Sequence, residues 1–146
     1  YKGNKMAIKL SKVTRLKTEA VPLELKDLDG ELLQDENGEK VVAWLYGRAS
    51  KAQRDYEDKG LAKSLDKMKK SKGNQAAMAD GVTVESIRDN GLDHPVAMTA
   101  KITGLETEDG KPYDNEKAIR SLYEDEGLAY IKDQVVAFLN DDKNFI

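Results

Sequence analysis

The sequence predicts an α+β domain, with an N-terminal antiparallel β-hairpin or small sheet followed by a helical region that ends in an αα-hairpin. Three observations predict it. Residues 41–46 are β-branched or aromatic almost throughout, and they follow an Asn37-Gly38 turn signal. Period-two alternation is confined to residues 6–47. Residues 110–146 carry apolar side chains at helical spacing on both sides of one acidic turn.

The elements follow in order. Residues 1–5 read as an expression remnant before Met6 or as a native, frayed leader. Ile8 and Leu10 alternate with lysine and serine, which predicts a strand over residues 7–13. Val21, Leu23 and Leu25 alternate again, and Pro22 places that strand at an edge or a strand start. Trp44 sits mid-strand with Val42 and Tyr46 on its side. It is expected to pack against a helix in the core or else to anchor a partner on an exposed face. Residues 6–47 are thus mainly β and residues 50–146 mainly α. Ser50 is placed to cap a helix running toward Lys70, with Ala52, Tyr56, Leu65 and Met68 on one side and lysines on the other. Residues 70–81 read as a mobile connection. Val84 opens a short helix that Asn90-Gly91 should stop, and Asp93 with Pro95 should start another over 95–103. Asp114 is the expected cap of a helix carrying Ala118, Ile119, Leu122 and Tyr123. A last helix carries Leu128, Ile131, Val135, Phe138 and Leu139, and Phe145-Ile146 folds back onto the pair. No internal repeat, heptad pattern or low-complexity tract is evident.

Composition narrows the function. At 146 residues the chain forms one domain, and with 6% aromatic residues its core must lean on aliphatic side chains. It has no cysteine, which excludes disulfides, thiolate chemistry and the usual zinc sites. No apolar run approaches the roughly 20 residues of a membrane span. Net charge is −3, split as +5 over residues 1–74 and −8 over residues 75–146, so two unlike faces can bind partners or one another.

No catalytic pattern emerges. His94 is the only histidine, and nothing in sequence orients it as a base. Asp27-Leu28-Asp29-Gly30-Glu31 and Asp35-Glu36-Asn37-Gly38-Glu39 faintly resemble a calcium loop but lack its 12-residue spacing. The glycines form no phosphate loop. We therefore expect no enzyme, cofactor or metal; a carboxylate-based hydrolase is the remaining enzymatic reading. The lysine run 59–72 reads as a solvated helix face, a site for an acidic protein or a phosphate-collecting surface, and of these nucleic acid is the least expected.

Several of these features together resemble a known family. They are an acidic hairpin over residues 25–38, a strand ending in Tyr46-Gly47 and a basic helix over 50–70. Pro112, Asn115 and Leu122-Tyr123 follow, and then Ile131, Gln134-Val135 and Phe138 before Asn144-Phe145. This plan resembles the tail assembly chaperones of long-tailed, siphovirus-type bacteriophages. Leu105 stands where that family carries a tryptophan, and residues 75–91 have no counterpart in the plan. The resemblance implies a non-enzymatic protein of the host cell cytoplasm. It would bind and solubilise the long, helical tape measure protein and help the tail tube assemble around it. A frameshifted longer form would recruit tail tube protein, and self-association is expected. Candidate interaction residues are Trp44, Tyr56, Lys63, Lys67, Lys70, Tyr123, Phe138 and Phe145. The alternative is a structural or adaptor protein of the phage tail or neck that remains in the virion.

Overall fold

Four antiparallel strands form one sheet in the order β1-β2-β3-β4: β1 (Val21–Glu24), β2 (Val42–Leu45), β3 (Thr99–Glu106) and β4 (Pro112–Tyr113). Among the described residues four helices accompany it: α1 (Lys51–Lys70), α2 (Val84–Met98), α3 (Glu116–Glu124) and α4 (Ala129–Leu139). The computed structural model describes residues 7–70 and 84–146, without the side chains of residues 67, 69, 70 and 84–90. The expected leader and most of the expected mobile connection lie outside the described residues. The α+β class and the antiparallel sheet are as expected, and α2 and α3 form a hairpin-like pair.

The core lies between one sheet face and the helices. Ala43 and Leu45 of β2 and Ile102 of β3 point inward and meet Val96, Ile119, Leu122, Ile131 and Val135. β2 is central because residues 41–46 offer a small, aliphatic inner row with no polar atom to satisfy.

The connection from β1 to β2 is a repeated structure. Residues 25–31 and 33–39 are a tandem repeat of Leu-x-Asp-x-(Asp/Asn)-Gly-Glu, so the expectation of no internal repeat is corrected. Leu25, Leu33 and Val41, spaced eight apart, close a ring of backbone hydrogen bonds. Leu25 N–H donates to Val41 (3.0 Å), Val41 N–H to Leu33 (3.0 Å) and Leu33 N–H to Leu25 (2.9 Å). In each repeat the aspartate carboxylate accepts two backbone N–H groups of its own turn. Asp27 takes those of Asp29 and Glu31, and Asp35 takes those of Asn37 and Glu39, all within 3.0 Å. The β3–β4 turn reuses the design with Thr107 in the aspartate's place, its hydroxyl accepting from Lys111 N–H at 3.0 Å.

Four further expectations are corrected. Residues 7–13 form no strand; Leu10–Lys12 is a 3-10 turn with Ile8, Leu10 and Val13 exposed. Two apolar residues between lysines offer too little buried face to hold an edge. The helix expected over 95–103 ends at Met98, where the Thr99 hydroxyl donates to Pro95 C=O at 2.7 Å. β-branched Thr99, Ile102 and Thr103 then run as strand. α2 passes through Asn90-Gly91 and Pro95 as one helix, so Asp93 is no cap. Asn115, not Asp114, caps α3, accepting from Ala118 N–H at 2.9 Å. Ser50 does cap α1, accepting from Gln53 N–H at 3.2 Å.

Candidate protein-interaction surfaces

Among the described residues, helices cover one face of the sheet only. Register places Pro22 and Glu24 of β1, Val42 and Trp44 of β2, and Lys101 and Thr103 of β3 on the other face. Of these six only Val42 and Trp44 are half-buried. Trp44 is held rather than loose. Its indole N–H donates to Thr103 Oγ1 at 3.3 Å, and the Lys101 ammonium lies 5.7 Å from the ring centroid. The alternation that put Val42, Trp44 and Tyr46 together was legible in sequence; that theirs would be the uncovered side was not. Trp44 is therefore absent from the helix-packed core.

α1 attaches to the body by its first two turns. Tyr56 is half-buried with its ring 5.0 Å from that of His94, and Gln53 Oε1 pairs with His94 Nε2 at 2.8 Å. Burial lowers the His94 pKa, which favours the neutral ring. Neighbouring Asp93 is instead engaged by Arg120 at 2.6 Å, a contact that raises the arginine's pKa further. From Lys59 onward the described side chains of α1 are exposed. Ala52, Tyr56, Lys59, Gly60 and Lys63 face a cleft of about 550 Å³ whose other walls are α2 and the start of α3. At 3.6 residues per turn, Leu61, Leu65 and Met68 project from the opposite side, roughly 160° away. Their exposures are 61%, 51% and 63%. The expectation that Leu65 and Met68 share a face with Ala52 and Tyr56 is thus corrected. The lysines 59 and 63 look into the cleft, and the apolar stripe looks out.

A second groove, of about 670 Å³, runs beside β3 and β4. It gathers Asp35, Glu36, Glu39, Glu106 and Asp114 around Lys101, the one cation among its described lining residues. Among the described residues no three His, Asp or Glu side chains converge to hold a metal. Asp27 and Asp35, the first aspartates of the two calcium-like segments, turn inward to their own backbone. No described helix is long and apolar enough to cross a membrane.

The candidate residues separate by burial. Trp44 and Lys63 lie on surfaces, and Tyr56 joins α1 to α2. Lys67 and Lys70 have side chains outside the described residues. Tyr123 is buried against the sheet with its hydroxyl 2.7 Å from Thr99 Oγ1, and burial pushes its pKa up to about 12. Phe145 is 1% exposed and stacks edge-on with half-buried Phe138, ring centroids 5.4 Å apart. As interaction candidates Tyr123 and Phe145 are corrected. They close the protein's own core, because the tail folds back through the 3-10 turn Asp142–Phe145. Leu61 adds to the exposed residues, and its i, i+4, i+7 relation to Leu65 and Met68 is the signal in the sequence for this stripe. No protein-family model, no curated protein and no solved structure matches the chain significantly, so the fold and these surfaces stand on their own geometry.

Proposed function

We propose that this chain is a non-catalytic assembly chaperone that holds a long helical client, the tape measure protein of a phage tail, and helps tail tube protein assemble around it. The observation that carries the proposal is the sheet face that no described helix covers. A two-layer domain leaves one side of its sheet to be covered, and here that side presents Trp44 beside Val42. An amphipathic client helix laid across them would make the third layer, with the indole as its anchor. The family-like plan of the C-terminal third supports the same reading. Each contact is small, so many copies must coat one client, and their combined grip exceeds that of any single site.

The test is co-purification of tape measure protein with the wild-type chain and with Trp44→Ala, alongside urea unfolding of each. The expected result is loss of the client with little change in unfolding midpoint, and a blue shift of Trp44 fluorescence when the wild type binds. Undiminished capture by Trp44→Ala would sink the proposed surface. Mass spectrometry of mature particles tests the role itself. A chaperone is absent from them, whereas a structural or adaptor protein of the tail or neck is retained.

A further inference from the structure

We infer, resting on the Trp44 platform proposed above, that the segment it holds is a basic amphipathic helix. Its apolar side lies on Trp44 and Val42, and its Lys or Arg side chains enter the groove walled by Glu36, Glu39 and Glu106. Platform and groove are one surface. Lys101 and Thr103 of β3 stand against the Trp44 side chain and also line the groove. Past the irregularity between Ile102 and Glu106 the same sheet face turns acidic. Ile102 and Tyr113 are register partners that pack into the core, so Pro112, next to Tyr113, points to the other face, and Glu106 opposite Pro112 points with it. The second repeat supplies the far wall, where residues 35–39 carry Glu36 and Glu39. A helix that crosses the sheet from β2 toward β4 therefore passes from an apolar floor to an acidic one.

Charge selects the occupant. Glu36, Glu39 and Glu106 form no ion pair with any described residue. Asp35 is occupied by its own turn, and Asp114 sits where the groove meets the helix-side cleft. Lys101 stands over the indole, and Lys40 nearby is paired with Glu24 at 3.0 Å. Three carboxylates thus face the groove without a counter-charge. Covering them with a neutral or acidic partner costs more than covering them with Lys or Arg. The sheet edges favour a helix over an added strand. Both edge strands carry a proline, Pro22 in β1 and Pro112 in β4, with no N–H to give a ladder. A helix brings its backbone groups already satisfied and needs only the face.

Fluorescence anisotropy of the full chain with labelled helical peptides tests it. Three peptides share one leucine face and differ at the flanking positions, which are lysine, glutamate or glutamine. The lysine peptide should bind at least about tenfold tighter than the glutamate peptide, with the glutamine peptide between them. High salt should shrink the preference, because exposed charges are screened. Glu36→Gln/Glu39→Gln/Glu106→Gln should abolish it, while Asp35 keeps its turn in place. A lysine peptide interrupted by proline cannot hold the helix and should bind at least about tenfold less tightly. Trp44→Ala should weaken all three helical peptides alike. Equal affinity for the three, or preference for glutamate, overturns the inference, and the platform survives if Trp44→Ala still weakens binding. A lysine preference that persists in the triple variant overturns the groove, and equal binding of the interrupted peptide overturns the helix. Binding that is indifferent to Trp44→Ala overturns the platform itself, and the inference falls with it.

Discussion

Phe145 lies over Gly47 so closely that a β-carbon at position 47 would stand 2.7 Å from the ring's Cγ. The strand end and the chain's second-to-last residue are therefore one packing unit, although 98 positions separate them in sequence. Gly47→Ala should cost about 1–3 kcal/mol by overpacking, and Phe145→Ala about 3–5 kcal/mol by opening a cavity. Together the two should cost at least about 0.5 kcal/mol less than their sum, because removing the ring removes the clash. Urea unfolding of the four proteins of the cycle measures it. Strict additivity would mean that the ring moves aside at no cost.

Gln134 performs a similar long-range task with hydrogen bonds. Its side-chain carbonyl accepts from Lys26 N–H at 2.7 Å while its amide donates to Lys26 C=O at 2.8 Å, so the first of the two tandem repeats, residues 25–31, is clamped to α4. Gln134→Ala should cost about 1–2 kcal/mol, two partly exposed bonds at the usual net value each. Amide exchange at Lys26 should quicken in step. Unchanged exchange with lost stability would place the effect in α4 and not in the clamp.

The strong local signals were legible in the sequence. Asn37-Gly38, the β-branched run 41–46, the Ser50 cap and the apolar spacing around Ile119 and Val135 each express a local preference that the tertiary structure keeps. Residues 99–106 were not legible. Ala100 continues the helical spacing of Val96, and the choice of strand is made by β2, which needs Ile102 opposite Ala43. The outward stripe of α1 departs from the expectation because Leu65 and Met68, though apolar, lie roughly 160° round the helix from the side that Ala52 and Tyr56 turn to the body. Trp44 could not be placed from sequence, because alternation says which residues share a sheet face but not which face is covered.

The glycines at the turns separate two costs of adding a side chain. Gly38 has φ +81° with open space around it, and Gly104 has φ +83° with Lys40 C=O only 2.6 Å from where a β-carbon would stand. Gly38→Ala should therefore cost only the left-handed backbone term, about 1–2 kcal/mol. Gly104→Ala should add a backbone collision that no rotamer relieves, about 1–3 kcal/mol more. Thermal or urea midpoints compare them directly. Equal losses would mean that β3 shifts away from Lys40 freely, and the register at the centre of the sheet would be softer than its hydrogen bonds imply.

Tyr123 gives the fold an alkaline limit. Burial raises its pKa to about 12, against an unfolded value near 10, while the hydrogen bond with Thr99 pulls the other way. Between these values the unfolded chain has released the phenolic proton and the folded chain still holds it. The unfolded state therefore binds fewer protons, and stability falls as pH rises. The contribution is complete below pH 10 and is lost progressively up to about pH 12. At 1.36 kcal/mol per pH unit the shift amounts to about 3 kcal/mol. Tyr123→Phe removes the titration and should flatten this limb of the stability profile. At neutral pH it should cost only about 1 kcal/mol, since Thr99 keeps its bond to Pro95 C=O. Urea midpoints for both proteins from pH 8 to pH 12 provide the measurement. Parallel profiles would assign the alkaline loss to groups other than this tyrosine, and the buried Thr99–Tyr123 contact would then be worth no more than an ordinary neutral hydrogen bond.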